Sequence, residues 1–247
     1  MRVLTDPSET GAVTIALPED VQAEVIDVPE EFLADREWHI RRPRAEAALL
    51  ANVARVIAGA KNPLIIAGGG VIYSDAHDAL QTFVEQTKIP VGTSQAGVGS
   101  LNWDHPQLLG SVGATGTTAA NRAAHDADVV VGIGTRYSDF TTSSRTAFQN
   151  PDVRFININI ASFDAYKHGS ALPVVADARE TLTELTQLLS GFSTSPEYQK
   201  KYTSDKAEWD SVVDAAFVDQ KLALPSQTEN IHAVQSATDA TDTVICA

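Results

Sequence analysis

The run Pro63-Leu-Ile-Ile-Ala-Gly-Gly-Gly70 decides the fold. An apolar stretch with no polar alternation suits a strand covered on both faces, as in a parallel sheet, and glycines at its exit suit a tight turn into a helix. Upstream, Leu49, Val53, Val56 and Ile57 recur at helical spacing and form one apolar stripe that stops near Gly59. Downstream, Ser74 or Asp75 is placed to cap a helix carrying Ala76, Leu80, Phe83 and Val84, after which Ile89-Pro-Val91 starts a second strand.

The same alternation continues. The small-residue stretch 113–127 predicts a helix, and Asp128-Val-Val-Val-Gly-Ile-Gly134 is a second uninterrupted buried strand. Arg154-Phe-Ile-Asn-Ile-Asn-Ile160 and Leu172-Pro-Val-Val-Ala176 complete five strands, with a sixth allowed. Asp177 and Glu180 are spaced as a capping box for a helix bearing Leu182, Leu185 and Leu189, with Gly191 at its stop. Strand and helix in this order imply right-handed crossovers and a doubly wound, parallel α/β sheet.

That central domain is placed at 44–191. Before it, Gly11-Ala-Val-Thr-Ile-Ala-Leu17 reads as a strand without a nearby partner, so 1–27 is expected to be a terminal piece of a preceding domain and 28–43 a linker. After it, 192–229 holds a linker and a helix starting at Ser195-Pro196, with Tyr198, Tyr202, Trp209, Val213 and Phe217 on one docking face to about Gln220. A short helix over 230–237 then leads to Asp242-Thr-Val-Ile-Cys-Ala247, which looks like the opening strand of a following domain. Both ends therefore read as cut, and the chain as the middle of a larger protein; the alternative is that the two end strands pair with each other or extend the central sheet.

Composition narrows the function. With 18 basic against 32 acidic side chains the net charge is −14, which supplies no basic stripe for a nucleic acid backbone. The 43% hydrophobic content suits a folded core, no segment has the length of a membrane span, and a lone Cys246 fits a reducing, cytoplasmic setting. Six histidines lack the spacing of a helical zinc pair, so no metal site is expected. Gly92-Thr-Ser-Gln-Ala96 lacks the closing glycine of a nucleophile elbow, which excludes a serine hydrolase.

The candidate positions lie where strands end. Gly68, Gly69 and Gly70 could present amides to a phosphate, but neither they nor Gly132 and Gly134 complete a dinucleotide fingerprint, and a tight strand-to-helix turn explains them as well. The small-residue loops 93–99 and 110–116, with Gln95, Gly113 and Gly116, could line the same crevice. Arg136 and Asp139 follow the strongest strand and face either a ligand or each other. Asn157 and Asn159 stand where nucleotide-binding sheets often carry a ribose-binding acid, so any contact to a hydroxyl there lacks charge assistance.

Several of these segments together resemble a known family. VTIALPEDVQ at 13–22, PLIIAGGG at 63–70, IPVGTSQAGVG at 89–99, DVVVGIGTRYSDF at 128–140 and ADARETLTEL at 176–185 are similar to the central domain of thiamine-diphosphate-dependent enzymes. Trp103-Asp-His-Pro106, the 113–121 loop and Ser138-Asp-Phe-Thr-Thr142 resemble the branch that hydrolyses a trihydroxycyclohexane-dione in inositol degradation. The resemblance implies a parent in which thiamine diphosphate and magnesium are held by flanking domains and the thiamine carbanion attacks a cyclic 1,2-dione, breaking a ring C–C bond with net addition of water. It implies an oligomeric parent, a small-molecule substrate, and no catalytic residue in this chain, since the Gly-Asp-Gly cofactor motif is absent. Gln95 and Asp139 are then expected at the substrate entrance.

Flavin-containing relatives such as acetolactate synthase bind FAD across this sheet. The matching positions are Gly68 to Gly70, Gly113 to Gly116, Arg136 and the end of the fourth predicted strand, but Asn157 and Asn159 replace the acidic pattern and Phe140 replaces an arginine after aspartate. Two alternatives stay open beside the hydrolase scaffold: a nucleotide-binding module for FAD or ADP, and the central domain of an acetolactate-synthase-like enzyme.

Overall fold

The computed structural model describes residues 1–218, 224–239 and 241–244. The chain opens with two single-turn helices, α1 (Arg2–Thr5) and α2 (Glu19–Gln22), and then runs α3 (Ala47–Ala58), β1 (Pro63–Ala67), α4 (Gly69–Tyr73), α5 (His77–Thr87), β2 (Val91–Thr93), β3 (Leu108–Ser111) and α6 (Thr118–Asp126). It continues through β4 (Val129–Ile133), α7 (Asp139–Thr142), β5 (Arg154–Asn159), α8 (Ser162–Ala165), β6 (Leu172–Val175), α9 (Ala178–Leu188), α10 (Pro196–Ala216) and α11 (Gln227–Ala237). The six strands form one sheet in the order β3-β2-β1-β4-β5-β6, and every pairing is parallel. This is the doubly wound fold the alternation predicts, with its topological switch point between β1 and β4.

The apolar runs of β1 and β4 are uninterrupted because each serves two cores. Ile65, Ala67, Val131 and Ile133 face one layer with Leu50 and Ile57 of α3, Leu80 and Phe83 of α5, and Leu182 and Leu185 of α9. Leu64, Ile66 and Val130 face the other, against the alanines of α6, Phe155, Tyr198 and Tyr202. Alanines at 119, 120, 123 and 124 give α6 a shallow face on that second layer.

The first half of α10 belongs to this second layer. The Tyr198 hydroxyl donates to the Pro63 carbonyl at 3.0 Å, the Tyr202 hydroxyl donates to that of Lys88 at 3.2 Å, and Arg122 of α6 is bonded to Asp205 and Glu208. The Ser195 side chain caps α10 and proline occupies its first turn, as the sequence predicts.

Several local expectations are corrected. Residues 11–17 join no ladder among the described residues and are exposed, because a β-branched run without a neighbour to bond remains open chain. β3, a four-residue edge strand containing Gly110, lies where the sequence suggests only loop, and α6 starts at Thr118 rather than near 113. Ser74 does not cap α5; its hydroxyl donates to Asp177 at 3.0 Å. Asp177 caps α9 by accepting from the amides of Arg179 and Glu180, but its own amide donates to the Pro43 carbonyl, so the box is not reciprocal. The strand expected over 242–247 falls partly outside the described residues, as do Cys246 and the helix end at Gln220; residues 242–244 carry no ladder.

The segment before residue 42 is largely exposed, and the chain is tied to the domain from Arg42 onward. Arg42 donates to Asp177 at 3.0 Å and to the Ser74 carbonyl, and Arg44 pairs with Glu184 at 2.6 Å. No helix among the described residues is long and apolar enough to cross a membrane.

Candidate functional site

At the switch point the crevice is filled by the protein's own backbone. The Gly68 amide donates to the Ile133 carbonyl at 2.8 Å, the Gly70 amide to that of Gly134 at 3.0 Å, and the Gly134 amide to that of Ile158 at 2.8 Å. A Cβ on Gly68 would stand 2.3 Å from the Gly134 oxygen, and one on Gly70 would stand 2.5 Å from the Gly134 Cα. Gly69 is in the same turn, against Ala96 of the loop after β2. The absent side chains of Gly68 and Gly70 therefore let the exits of β1 and β4 touch, and the two amides that point across are already satisfied.

The loop after β3 is closed in the same way. Gly113 has φ +106 and its amide donates to the Asn121 side chain at 2.8 Å, while the Gly116 amide donates to the Gly113 carbonyl at 3.0 Å. The Ala114 amide donates to the Phe140 carbonyl at 2.8 Å, which brings Gly113 beside the loop bearing Asp139.

Asn159 is buried and spends both ends of its amide within the fold: its nitrogen donates to the Thr135 carbonyl at 3.0 Å and its oxygen accepts from the Ala161 amide at 3.0 Å. Asn157 donates to the Lys167 carbonyl at 3.0 Å, and its Oδ1 has no partner. Both asparagines thus act as struts between β5 and neighbouring loops. Neither presents the charged acceptor that would grip a ribose.

The remaining sequence candidates are exposed. Arg136 makes no ion pair among those of the described residues, so of the two alternatives the pair with Asp139 does not form; the Arg136 carbonyl accepts from Lys167 at 3.2 Å. Asp139 opens α7 and accepts from the Ser144 hydroxyl at 3.2 Å. Gln95 is exposed in the turn after β2, two strands away from Asp139 in the sheet order. Around them the carboxyl edge of the sheet shows Tyr73, Val98, Phe140, Phe163 and Tyr166 to solvent.

Sequence reasoning missed a cluster beneath the loop after β4. Tyr137, Phe148, Phe155 and His168 make edge-to-face contacts with centroids 5.1–6.4 Å apart, and they border a cavity of about 560 Å³ whose lining includes Arg145 and Lys167. Burial holds the His168 imidazole below its ordinary range; the bond to the Tyr137 backbone opposes this, and Arg145 and Lys167 add to it. The residues come from four separate segments and have no common spacing; only the Arg136-Tyr-Ser-Asp139 row pointed toward the place.

Thiamine diphosphate and magnesium find no fit in this geometry. No group of three His, Cys, Asp or Glu side chains converges as a metal site among the described residues, and the glycine turns that could cradle a diphosphate are occupied by protein carbonyls.

A six-stranded, all-parallel, doubly wound sheet whose switch point is closed by its own backbone defines a Rossmann-like α/β domain. The chain belongs to the thiamine pyrophosphate enzyme family: the model of that family's central domain matches residues 50–185. Among curated relatives it is 45% identical over 217 residues to a 3D-(3,5/4)-trihydroxycyclohexane-1,2-dione hydrolase of Clostridium tetani, covering 88% of this chain and 34% of that protein. The enzymes of the same name from Clostridium botulinum and Bacillus cereus are 46% and 47% identical over 85% and 84% of this chain, and 32% of each is covered. The chain thus spans about a third of the length of the curated relatives it matches.

Proposed function

We propose that this chain supplies the non-catalytic central domain, at 44–191, of a thiamine-diphosphate-dependent hydrolase that opens a ring C–C bond of a cyclic 1,2-dione in inositol catabolism. The observation that carries the reading is identity of 44–47% to hydrolases of that name, sustained over 84–88% of this chain. Thiamine diphosphate supplies the electron sink for the C–C cleavage and is held, with magnesium, by domains flanking this one. The sheet's part is to join those domains and hold them in register, in a cytoplasmic oligomer.

The saturated amides of Gly68, Gly70, Gly113 and Gly116 support a scaffold over a nucleotide site. The exposed apolar side chains at the carboxyl edge, Tyr73 and Phe163 among them, suit the docking of the thiamine-binding domains. In this reading Gln95 and Asp139, exposed on the same edge, would face incoming substrate at its entrance. Residues 1–27 and 230–247 would belong to the domains on either side, with 28–43 and 192–229 as connections.

Thermal denaturation of this chain with FAD, ADP, and thiamine diphosphate plus magnesium tests the scaffold role. A ligand at about 100 times its dissociation constant adds roughly 2.7 kcal/mol, which is readily seen as a shift of the midpoint. The expected result is no shift with any of the three, and no dione hydrolysis by this chain alone. A shift with FAD or ADP that Arg136→Ala abolishes would establish the nucleotide-binding module instead.

A further inference from the structure

The cavity beneath the loop after β4 combines aromatic walls with the exposed guanidinium of Arg145. It lies between α7, the 143–153 loop, β5 and the turn at 167–169, and its walls are the rings of Tyr137, Phe148, Phe155 and His168. A volume near 560 Å³ is that of a small-molecule pocket. Two of the lining residues, Arg145 and Lys167, are cations and one, Asp139, is a carboxylate.

The side chains are not equally free. Lys167 is paired with Asp164 at 2.6 Å and bonded to the Arg136 carbonyl. Arg145 makes no ion pair among those of the described residues, and its guanidinium can grip a phosphate or carboxylate through two parallel N–H donors.

The backbone supports the same place independently. Of the seven non-glycine residues with positive φ, three line this cavity, Tyr137 (49°), Arg145 (68°) and His168 (56°), and two more, Ser143 (49°) and Ser144 (53°), lead directly into Arg145. Residues with side chains visit the left-handed region singly, so three in succession at 143–145 are a costly way to turn a loop, and such strain concentrates at ligand sites. Its effect is to set Arg145 at the cavity. Behind the aromatic wall, the Tyr137 hydroxyl and Asn157 Oδ1 are buried without partners, although Asn157 is the β5 register partner of Gly132, on which the Tyr137 hydroxyl sits.

We propose that this cavity binds a small hydroxylated organic phosphate, with Arg145 and Lys167 on the phosphate, the aromatic walls against the carbon skeleton, and Asp139 and Thr142 accepting from hydroxyl groups. The site is distinct from the glycine turns at the switch point and does not depend on the hydrolase reading. Because α7 begins at Asp139, occupancy would also fix the loop that carries it.

Isothermal titration of the full chain with glucose 6-phosphate, glucose and inorganic phosphate tests the assignment. Glucose 6-phosphate is expected to bind, glucose not to, and inorganic phosphate to bind more weakly. Arg145→Gln, an exposed position whose variant should melt like the parent, is expected to weaken glucose 6-phosphate by about tenfold or more, whereas Arg55→Gln on the opposite layer is expected to leave it unchanged. No binding of glucose 6-phosphate, equal binding to Arg145→Gln, or inorganic phosphate binding as tightly as the sugar phosphate would each overturn it. His168→Asn, which keeps a side chain tolerant of the left-handed region, is a second variant expected to weaken binding.

Discussion

Two glycines separate conformational strain from packing. Gly134 and Gly169 share φ +59, but a Cβ at Gly134 would stand 2.4 Å from the Gly70 Cα, whereas nothing lies within 4 Å of one at Gly169. Gly169→Ala should therefore cost only the left-handed penalty, about 1 kcal/mol. Gly134→Ala must also push the exits of β1 and β4 apart and weaken the Gly68 and Gly70 amide bonds, so about 3 kcal/mol or more is expected. Urea denaturation of both variants checks this, and equal losses would show that the close approach at the switch point is unimportant. The glycines were legible in the sequence as a strand exit; whether their amides were free for a ligand was not, because that depends on which carbonyls the fold brings opposite them.

At the scale of elements, legibility follows the number of faces an element buries. β1 and β4 announce themselves because both faces are apolar, and α3, α5 and α9 because one stripe is. β3 is an edge strand of four residues with a glycine and has no such signature, while residues 11–17 have the composition of a strand but no neighbour to bond among the described residues. Caps were legible only in part, since Ser195 caps α10 as expected and Asp177 caps α9 without the reciprocal contact from Glu180, while Ser74 serves an element 103 residues away. Asp177 holds more than a helix end: it accepts from two α9 amides, from Ser74 and from Arg42. Asp177→Ala should cost about 3 kcal/mol, roughly 1 from the cap and the rest from stranding buried partners; Asp177→Asn, which can still cap, should cost less. Chemical denaturation of the pair measures the split, and equal losses would mean that the charge on Arg42, not the cap, is what Asp177 serves.

At the scale of the molecule, one sheet carries two cores, and the question is whether they unfold together. Alternate residues of the same strands serve both: Leu64 and Ile66 one layer, Ile65 and Ala67 the other. A strand cannot lose one face without losing the ladder that positions its other face, so the two layers should behave as a single cooperative unit. α10 strengthens this link, because Tyr198 bonds the Pro63 carbonyl at the start of β1 and Tyr202 bonds the Lys88 carbonyl after α5. Phe83→Ala cuts into the first core and Leu109→Ala into the second, each removing a buried side chain at a cost of about 2–5 kcal/mol. Hydrogen exchange read at the α5 and α6 amides should show each substitution lowering protection on both layers alike. Loss confined to the mutated layer would mean that the sheet does not couple them, and with it the case for a rigid scaffold holding two flanking domains in register would fall.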